Sequence, residues 1–135
     1  MRFDTKIAVA VRGDLAGWQK LNVTAFLASA VAGLEGVLGK PYEDGSGNTY
    51  LAMFREPVLV YVAGRDELAR MRERALTREL PVAVYTEELF GTGNDDDNRA
   101  AVRDVPAGEL NLAGLAVYGR RTAIDKVCKG LRLHP

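Results

Sequence analysis

Apolar runs that alternate with periodic segments predict strands alternating with helices along this chain. Residues 7–11 are continuously apolar and rich in branched side chains, which is typical of a central strand buried on both faces. Residues 21–34 carry apolar side chains at near-helical spacing and predict a largely buried helix. The apolar stripe is expected to contain Leu21, Ala25, Ala28 and Val31, widened by Phe26, Leu27 and Leu34.

The middle of the chain predicts two strands, a surface helix and a third strand. The polar, glycine-rich residues 40–48 favour a turn. Residues 49–54 and 57–63 are strand candidates separated by only two residues, so we expect them to pair as a hairpin. Residues 66–80 segregate apolar from charged side chains, as a surface helix does, and Pro81 ends it. Val82 to Tyr85 then predicts a short buried strand.

A long polar segment precedes the last strand and helix. Residues 86–111 predict a loop with one or two helical turns near residues 99–102, and long loops inside compact domains are often functional. Residues 115–119 predict a strand, and residues 122–131 a helix in which Thr122 and Asp125 are spaced like a capping box.

This order favours a single domain over residues 1–135. Strands that alternate with helices are typical of the α/β class, here a three-layer α/β/α sandwich with a mixed sheet of four to five strands.

Composition narrows the chemistry. The chain has 135 residues, with 18 basic and 18 acidic side chains and a net charge of zero, so any nucleic-acid binding would need a local patch. One cysteine and one histidine are too few for an internal disulfide or a cysteine-rich zinc site. We expect no cofactor. The first residues match neither a signal peptide nor a membrane span, which favours the cytoplasm and no membrane partner.

Polar residues follow two of the predicted strands, where ligands of α/β sheets gather. Arg12, Asp14 and Lys20 follow the first strand, and Thr86 and Glu87 follow a later one. A lysine facing carboxylates could polarise a carbonyl or hold a phosphate, while a carboxylate positions a water as general base. The alternative is a surface ion pair with helix capping, because structural pairs often mimic sites.

Three further features each have a functional and a structural interpretation. Asn94 to Asn98 offers hard oxygen ligands but lacks the spacing of a calcium loop, so a solvated turn is the alternative. Trp18 could stack on a ligand or cover the core. A basic cluster could contact RNA phosphates or complement a helix dipole. Its members are Arg120, Arg121, Lys126, Lys129, Arg132 and His134.

The two ends of the chain resemble those of type 2 peptidyl-tRNA hydrolases. The stretches KIAVAVRGDLAGWQKLNVTAFLASAV and GLAVYGRRTAIDKVCKGLRL carry the likeness. The resemblance implies the fold of those enzymes and a hydrolytic site. Lys20 matches a family lysine, Asn22 stands where a second lysine is usual, and Glu87 and Thr92 are approximate counterparts of the family's acidic residue and threonine.

Other segments are similar to an uncharacterised bacterial family called domain of unknown function 2000. They are Asp14-Leu15, residues 22–27 (NVTAFL) and residues 85–98. That likeness implies a fold and no reaction.

Two hypotheses of function follow. The first is a hydrolase-like activity on an RNA-linked or small-molecule substrate, with Lys20, Asn22, Glu87 and Thr92 as the catalytic residues. The second is a non-catalytic ligand-binding or regulatory module that uses the same cleft. The expected ligand-binding residues are Arg12, Asp14, Tyr85, Thr86, Asp97 and Asn98. A homodimer through an isologous edge or helix contact is a further expectation.

Overall fold

A five-stranded mixed sheet with helices on both faces forms the structure, a computed structural model that describes residues 2–135. The sheet contains β1 (Thr5–Arg12), β4 (Val58–Ala63), β5 (Val82–Thr86), β6 (Leu112–Arg120) and β7 (Arg132–Leu133). Strands β2 (Tyr42–Glu43) and β3 (Thr49–Tyr50) form a separate hairpin. The helices are α1 (Gly17–Ala32), α2 (Arg65–Thr77), α3 (Asp95–Arg103) and α4 (Arg121–Val127), with 3-10 turns at Glu87–Gly91 and Ala107–Glu109.

The strand order is β5-β6-β1-β4-β7, with β1 in the middle. Strand β1 pairs in parallel with β4 and antiparallel with β6, while β5 and β7 form the two edges through antiparallel pairing. The sequence prediction of a mixed α/β sheet is confirmed. No helix within residues 2–135 is long and apolar enough to cross a membrane.

Successive residues of β1 pack into different cores because side chains of a strand alternate between faces. Ile7, Val9 and Val11 join the core under α1, whereas Ala8 and Ala10 join the core under α2 and α4. All five side chains are fully or almost fully buried. This double burial explains why the run lacks polar positions, as predicted.

The predicted buried face of α1 is partly wrong. Leu27 and Val31 are buried against the sheet as predicted, and so is Val23, which was not predicted, whereas Leu21 is 74% exposed and Ala25 and Phe26 are also exposed. The helix is apolar around much of its circumference, so more than one stripe satisfies the helical period. The stripe that packs is the one rich in branched side chains.

The predicted hairpin between residues 49–54 and 57–63 is also wrong. Strand β3 pairs with β2 instead, and β4 pairs with β1 and β7. Asp44 stabilises the tight turn of the observed hairpin, since its carboxylate accepts the backbone N–H of Ser46 and of Asn48 and the hydroxyl of Tyr50. An aspartate that accepts hydrogen bonds from the next few residues stabilises a turn locally, so the hairpin of β2 and β3 forms without pairing to β4.

The last helix is shorter than predicted, and a strand follows it. Helix α4 ends at Val127, and Gly130 has a φ of 88°, which turns the chain into β7. The predicted capping box does not form, because the helix begins at Arg121 and Thr122 lies inside its first turn, and Asp125 instead binds Lys6 with 2.5 Å between Oδ1 and Nζ. Within the predicted loop of residues 86–111, α3 spans 9 residues and extends the expected helical turns in both directions.

Candidate functional site

Arg12 is the centre of a polar network at the carboxyl ends of β1 and β5. Its side chain is only 7% exposed, and its Nε donates to Asp14 at 2.6 Å. Its Nη1 donates to the carbonyl of Leu112 at 3.2 Å, and its Nη2 binds Glu87. The amide of Asn111 donates to the other oxygen of Glu87. The guanidinium therefore ties the ends of β1, β5 and β6 together.

Charge pairing in this network stabilises the ionised forms. The pKa of Glu87 is lowered, mainly because Arg12 donates a hydrogen bond to its carboxylate. The pKa of Asp14 is lowered for the same first reason. Burial opposes the charge of Arg12, but the pKa of its guanidinium is still raised because Glu87 and Asp14 accept its hydrogen bonds. Both carboxylates are thus held as ion-pair partners, an arrangement that opposes a role as general base.

Lys20 lies outside this network. Its Nζ is 3.2 Å from Nε2 of His134, and the contact is half-buried. Nδ1 of the same imidazole lies 3.0 Å from the carbonyl of Pro135, so the ring donates there and accepts from Lys20. His134 donates its backbone N–H to the carbonyl of Val60 in β4. The side chain of Lys20 therefore extends from α1 toward the β4–β7 side of the sheet.

An aromatic pocket opens on the other side of α1, between that helix, the end of β5 and the segment that leads into α3. The rings of Trp18, Phe26, Tyr85 and Phe90 form its walls. Ring centroids are 5.1 Å apart for Tyr85 and Phe90, 5.7 Å for Phe26 and Tyr85, and 5.9 Å for Trp18 and Phe90. The pocket has a volume of about 330 Å³. Trp18 is 64% exposed and covers Phe90 at the pocket mouth, not the core.

Polar groups converge on the same pocket. Asn22 donates from Nδ2 to the hydroxyl of Tyr85 at 3.4 Å, while burial raises the pKa of Tyr85. The hydroxyl of Thr92 lies 3.0 Å from the carbonyl of Leu89 and also contacts the side-chain oxygen of Asn98. The side-chain nitrogen of Asn98 donates no hydrogen bond to residues 2–135, so its amide keeps two donors for another group.

The predicted site residues thus fall into separate places. Asn22, Tyr85, Thr92 and Asn98 line the aromatic pocket together. Arg12, Asp14 and Glu87 form the ion-pair network, and Lys20 contacts His134. Thr86 is buried beside the network, and its hydroxyl has no partner among residues 2–135. The structure does not bring the four predicted catalytic residues into one cleft.

The acidic run forms the first turn of α3. The side-chain oxygen of Asn94 accepts the backbone N–H of Asp97 and so caps the helix, while Arg99 binds Asp95 and Asp96. Among residues 2–135, no three His, Cys, Asp or Glu side chains group as metal ligands would. Helix capping therefore explains the position of Asp97.

The basic cluster is divided between opposite ends of the sheet. Arg120 pairs with Thr5 at the start of β1, whereas Arg132 pairs with Val62 near the end of β4. About six strand residues, roughly 20 Å, separate these levels. Arg132 instead borders a cleft of about 350 Å³ between the carboxyl ends of β1 and β4, together with Arg12 and Arg65.

Sequence reasoning missed several residues of the site. Asn111 was not singled out, although it immediately precedes β6 and its backbone carbonyl accepts the N–H of Glu87 at 2.9 Å. Phe26 is predicted only as part of the apolar stripe of α1, and Phe90 is not predicted as a site residue. Their signal is the aromatic content of residues 18–26 and 85–90, which becomes informative once β5 and α1 are known to be neighbours.

Comparisons with known proteins agree with this structure and assign no activity. A solved structure of a protein of unknown function from Agrobacterium tumefaciens strain C58 is similar, with 41% identity and a TM-score of 0.95 over 99% of this chain and 100% of that one. No curated protein is significantly similar in sequence. The model of a family of proteins of unknown function, DUF2000, matches residues 5–135. Since that match covers almost the whole chain, the protein belongs to the DUF2000 family.

Proposed function

We propose that this protein is a non-catalytic binding module that holds a small molecule with a flat ring in the aromatic pocket. The observation that carries the proposal is the convergence of two amides, Asn22 and Asn98, on a pocket walled by Trp18, Tyr85 and Phe90. Ligand sites are typically concave and mostly apolar, with a few polar groups that fix orientation. Aromatic walls favour a planar group, which can stack or pack edge to face.

The polar groups also indicate what the ring would carry. The side-chain oxygen of Asn22 accepts no hydrogen bond from residues 2–135, and the amide of Asn98 is only partly engaged. An amide offers both donors and an acceptor. A ring with a donor and an acceptor on its edge would therefore satisfy both asparagines. The carboxylate of Asp95 at the pocket rim is already paired with Arg99.

A binding function fits the pocket better than hydrolysis. Neither Lys20 nor Glu87 lines it, and Glu87 is held by Arg12. A general base needs to reach the proton that it removes, directly or through one water. Support for the binding role is thus the presence of recognition groups in a pocket whose carboxylate, that of Asp95, is already paired with Arg99.

The proposal can be tested by screening flat heteroaromatic fragments against the ¹⁵N-labelled protein and following amide shifts. We expect binders that shift the resonances of Asn22, Tyr85 and Asn98 and raise the unfolding temperature by mass action. Trp18→Ala and Asn22→Leu should each weaken binding about tenfold, the loss of one good contact. Leu21→Ala is the matched control, since Leu21 is exposed on the same helix and does not line the pocket. Binding that is unchanged in both pocket variants would refute the proposal.

A hydrolase-like activity on an RNA-linked or small-molecule substrate is the second candidate. It would place this chain on the fold of type 2 peptidyl-tRNA hydrolases. The observation in its favour is the contact between Lys20 and His134, because lysine and histidine both act as general acids and bases. Release of the acyl group from a model peptidyl-tRNA, lost in Lys20→Ala, would support it. No release above background by the wild-type protein would count against it.

A further inference from the structure

Strand β5 leaves one side of its backbone without a partner. It forms an edge of the sheet, and within residues 2–135 its backbone hydrogen bonds go to β6. Alternate residues of an edge strand direct N–H and C=O groups away from the sheet. Edge strands are usually protected by charged side chains or by proline, yet Val82–Thr86 contains neither. The free edge is therefore suited to pairing with another strand.

A groove borders this edge from Val82 to Tyr85. It begins as a depression of about 100 Å³ between Val82, Ala83 and Ala30 of α1. It widens to about 460 Å³ between Ala83 to Tyr85, α1 and α3. Ala30 and Ala83 line both parts, so the two are continuous. We call this combined feature the edge groove. Five strand residues span about 17 Å, which is room for a short extended segment.

Helix α3 forms the outer wall of the edge groove without packing into the core. Its apolar and polar side chains segregate to different faces, yet none of its residues is buried. Val102 borders the groove opposite Phe26, which is 49% exposed. An amphipathic helix normally buries its apolar side chains. Of those in α3, Val102 lines the groove beside the polar Asp95, Asn98, Arg99 and Arg103, so this wall offers both apolar and polar contacts.

The shape of the edge groove favours a single extended chain as its occupant. Helices α1 and α3 both line the groove beside β5, so the flat edge of another folded copy would meet these helices before it reached the strand. A lone strand lies about 5 Å from its neighbour and can enter between them. Its backbone would supply the donors and acceptors that the β5 edge requires, as in strand addition by other peptide-binding domains.

The charge of Arg103 favours an acidic residue of the peptide at one end of the edge groove. Arg103 lines the groove and has no ion pair among residues 2–135, whereas Asp95 is neutralised by Arg99. We propose that the edge groove binds an extended peptide as a sixth strand beside β5, with apolar side chains at alternate positions and an acidic residue next to Arg103. This inference goes beyond the proposed small-molecule function, although the groove and the aromatic pocket share Phe26, Tyr85, Leu89, Asp95 and Asn98.

The test uses the full chain and a displayed library of peptides of about seven residues, the length of an ordinary strand, with apolar residues fixed at alternate positions. We expect wild-type protein to enrich peptides that carry an aspartate or glutamate near one end. Ala30→Trp should abolish enrichment by filling the groove, and Ala25→Trp is its matched control on an exposed position of α1 that lines no cavity. Equal enrichment by wild type and Ala30→Trp, or none by wild type, would overturn the proposal.

Two further measurements separate this proposal from its alternatives. Arg103 is exposed, so Arg103→Glu should leave the fold intact and should switch the enriched peptides from acidic to basic. Bound peptide should slow hydrogen exchange of outward β5 amides about tenfold or more, and N-methylation of the peptide at alternate residues should remove the effect. If hydrogen exchange of these amides slows in the protein without peptide as the protein concentration rises, a second copy covers the edge and the peptide proposal is wrong.

The two proposals fail independently. Asn22→Leu changes the aromatic pocket alone, and Ala30→Trp changes the edge groove alone. Fragment binding lost in Asn22→Leu with no peptide enrichment by wild type would retain the first proposal and reject the second. The reverse pattern would do the opposite.

Discussion

Arg12 and Glu87 form an ion pair across the start of β6, although 75 residues separate them in the chain. The strands that carry them, β1 and β5, are not neighbours, since β6 lies between them. Arg12 also donates to the carbonyl of Leu112, the first residue of β6, so one guanidinium links three strand ends. Its position at the expected ligand-binding end of the sheet is consistent with a structural role, because its donors are already engaged.

Replacing Arg12 with methionine should destabilise the protein by about 2 to 3 kcal/mol, because the carboxylate of Glu87 and the carbonyl of Leu112 lose a charged donor. Methionine keeps most of the buried apolar stem. The measurement is the free energy of unfolding in urea at neutral pH.

Arg99→Met is the matched control for that change. Arg99 pairs with Asp95 and Asp96 on the surface of α3, and its side chain is 56% exposed. Exposed pairs contribute little, so we expect a loss of at most about 1 kcal/mol. Similar losses in the two variants would show that burial of Arg12 adds nothing to its pairing.

The contribution of the ionised Glu87 carboxylate to the free energy of unfolding should depend on pH. Its pKa is lowered in the folded state by the hydrogen bond from Arg12. The carboxylate therefore contributes stability above its unfolded pKa, about 4.3, and that contribution is lost as the pH falls through the folded pKa. The difference in unfolding free energy between wild type and Glu87→Gln should shrink between about pH 6 and about pH 3. A difference that stays constant over this range would contradict the assignment.

The sequence predicted the elements whose burial leaves a pattern in their own residues. It missed those that form only through contacts with distant parts of the chain. Residues 7–11 form a central strand as predicted, because burial on both faces leaves a continuous apolar run. Strand β7 has two residues and no pattern of its own, and it exists through pairing with β4. The same limit explains α1, whose buried face depends on how it lies on the sheet.

The candidate site shows the same division. Tyr85 and Asn98 were predicted as site residues from their position at a strand end and in a long loop, and Thr92 from the resemblance to type 2 peptidyl-tRNA hydrolases. All three line the aromatic pocket. Their separation from Lys20 and Glu87 could not be predicted, since it depends on which side of α1 Lys20 faces and on the pairing of Glu87 with Arg12, 75 residues away in the chain. Spacing along the chain does not encode that rotation when a helix is apolar on several faces.

The thiol of Cys128 should be unreactive in the folded protein. It lies in the core under α2 and α4, and burial raises its pKa to about 11. The thiolate is the reactive form, so little is present at neutral pH. A disulfide reagent added at about pH 8 should react slowly with native protein and completely in urea. Rapid reaction of the native protein would show that this part of the core opens readily.

Contact between α1 and β6 requires glycine at position 114. A Cβ there would lie 2.7 Å from Val23 Cγ1 and 2.9 Å from the carbonyl of Ala10, closer than packed atoms tolerate. The carbonyl belongs to β1 and cannot move without breaking the sheet. Gly114→Ala should therefore push α1 outward and cost about 2 to 3 kcal/mol in unfolding free energy, the range for overpacked cores.

Gly45→Ala is the control for that prediction, because a Cβ at position 45 meets nothing within 4 Å. We expect this change to alter the free energy of unfolding by less than about 0.5 kcal/mol, as for most surface substitutions. Displacement of α1 in Gly114→Ala should also perturb the aromatic pocket, since Asn22 and Phe26 flank Val23 on the same helix. Fragment binding that weakens in Gly114→Ala but not in Gly45→Ala would show that the packing of α1 on β6 sets the geometry of the pocket. Unchanged stability in Gly114→Ala would mean that α1 lies further from β6 than the structure places it.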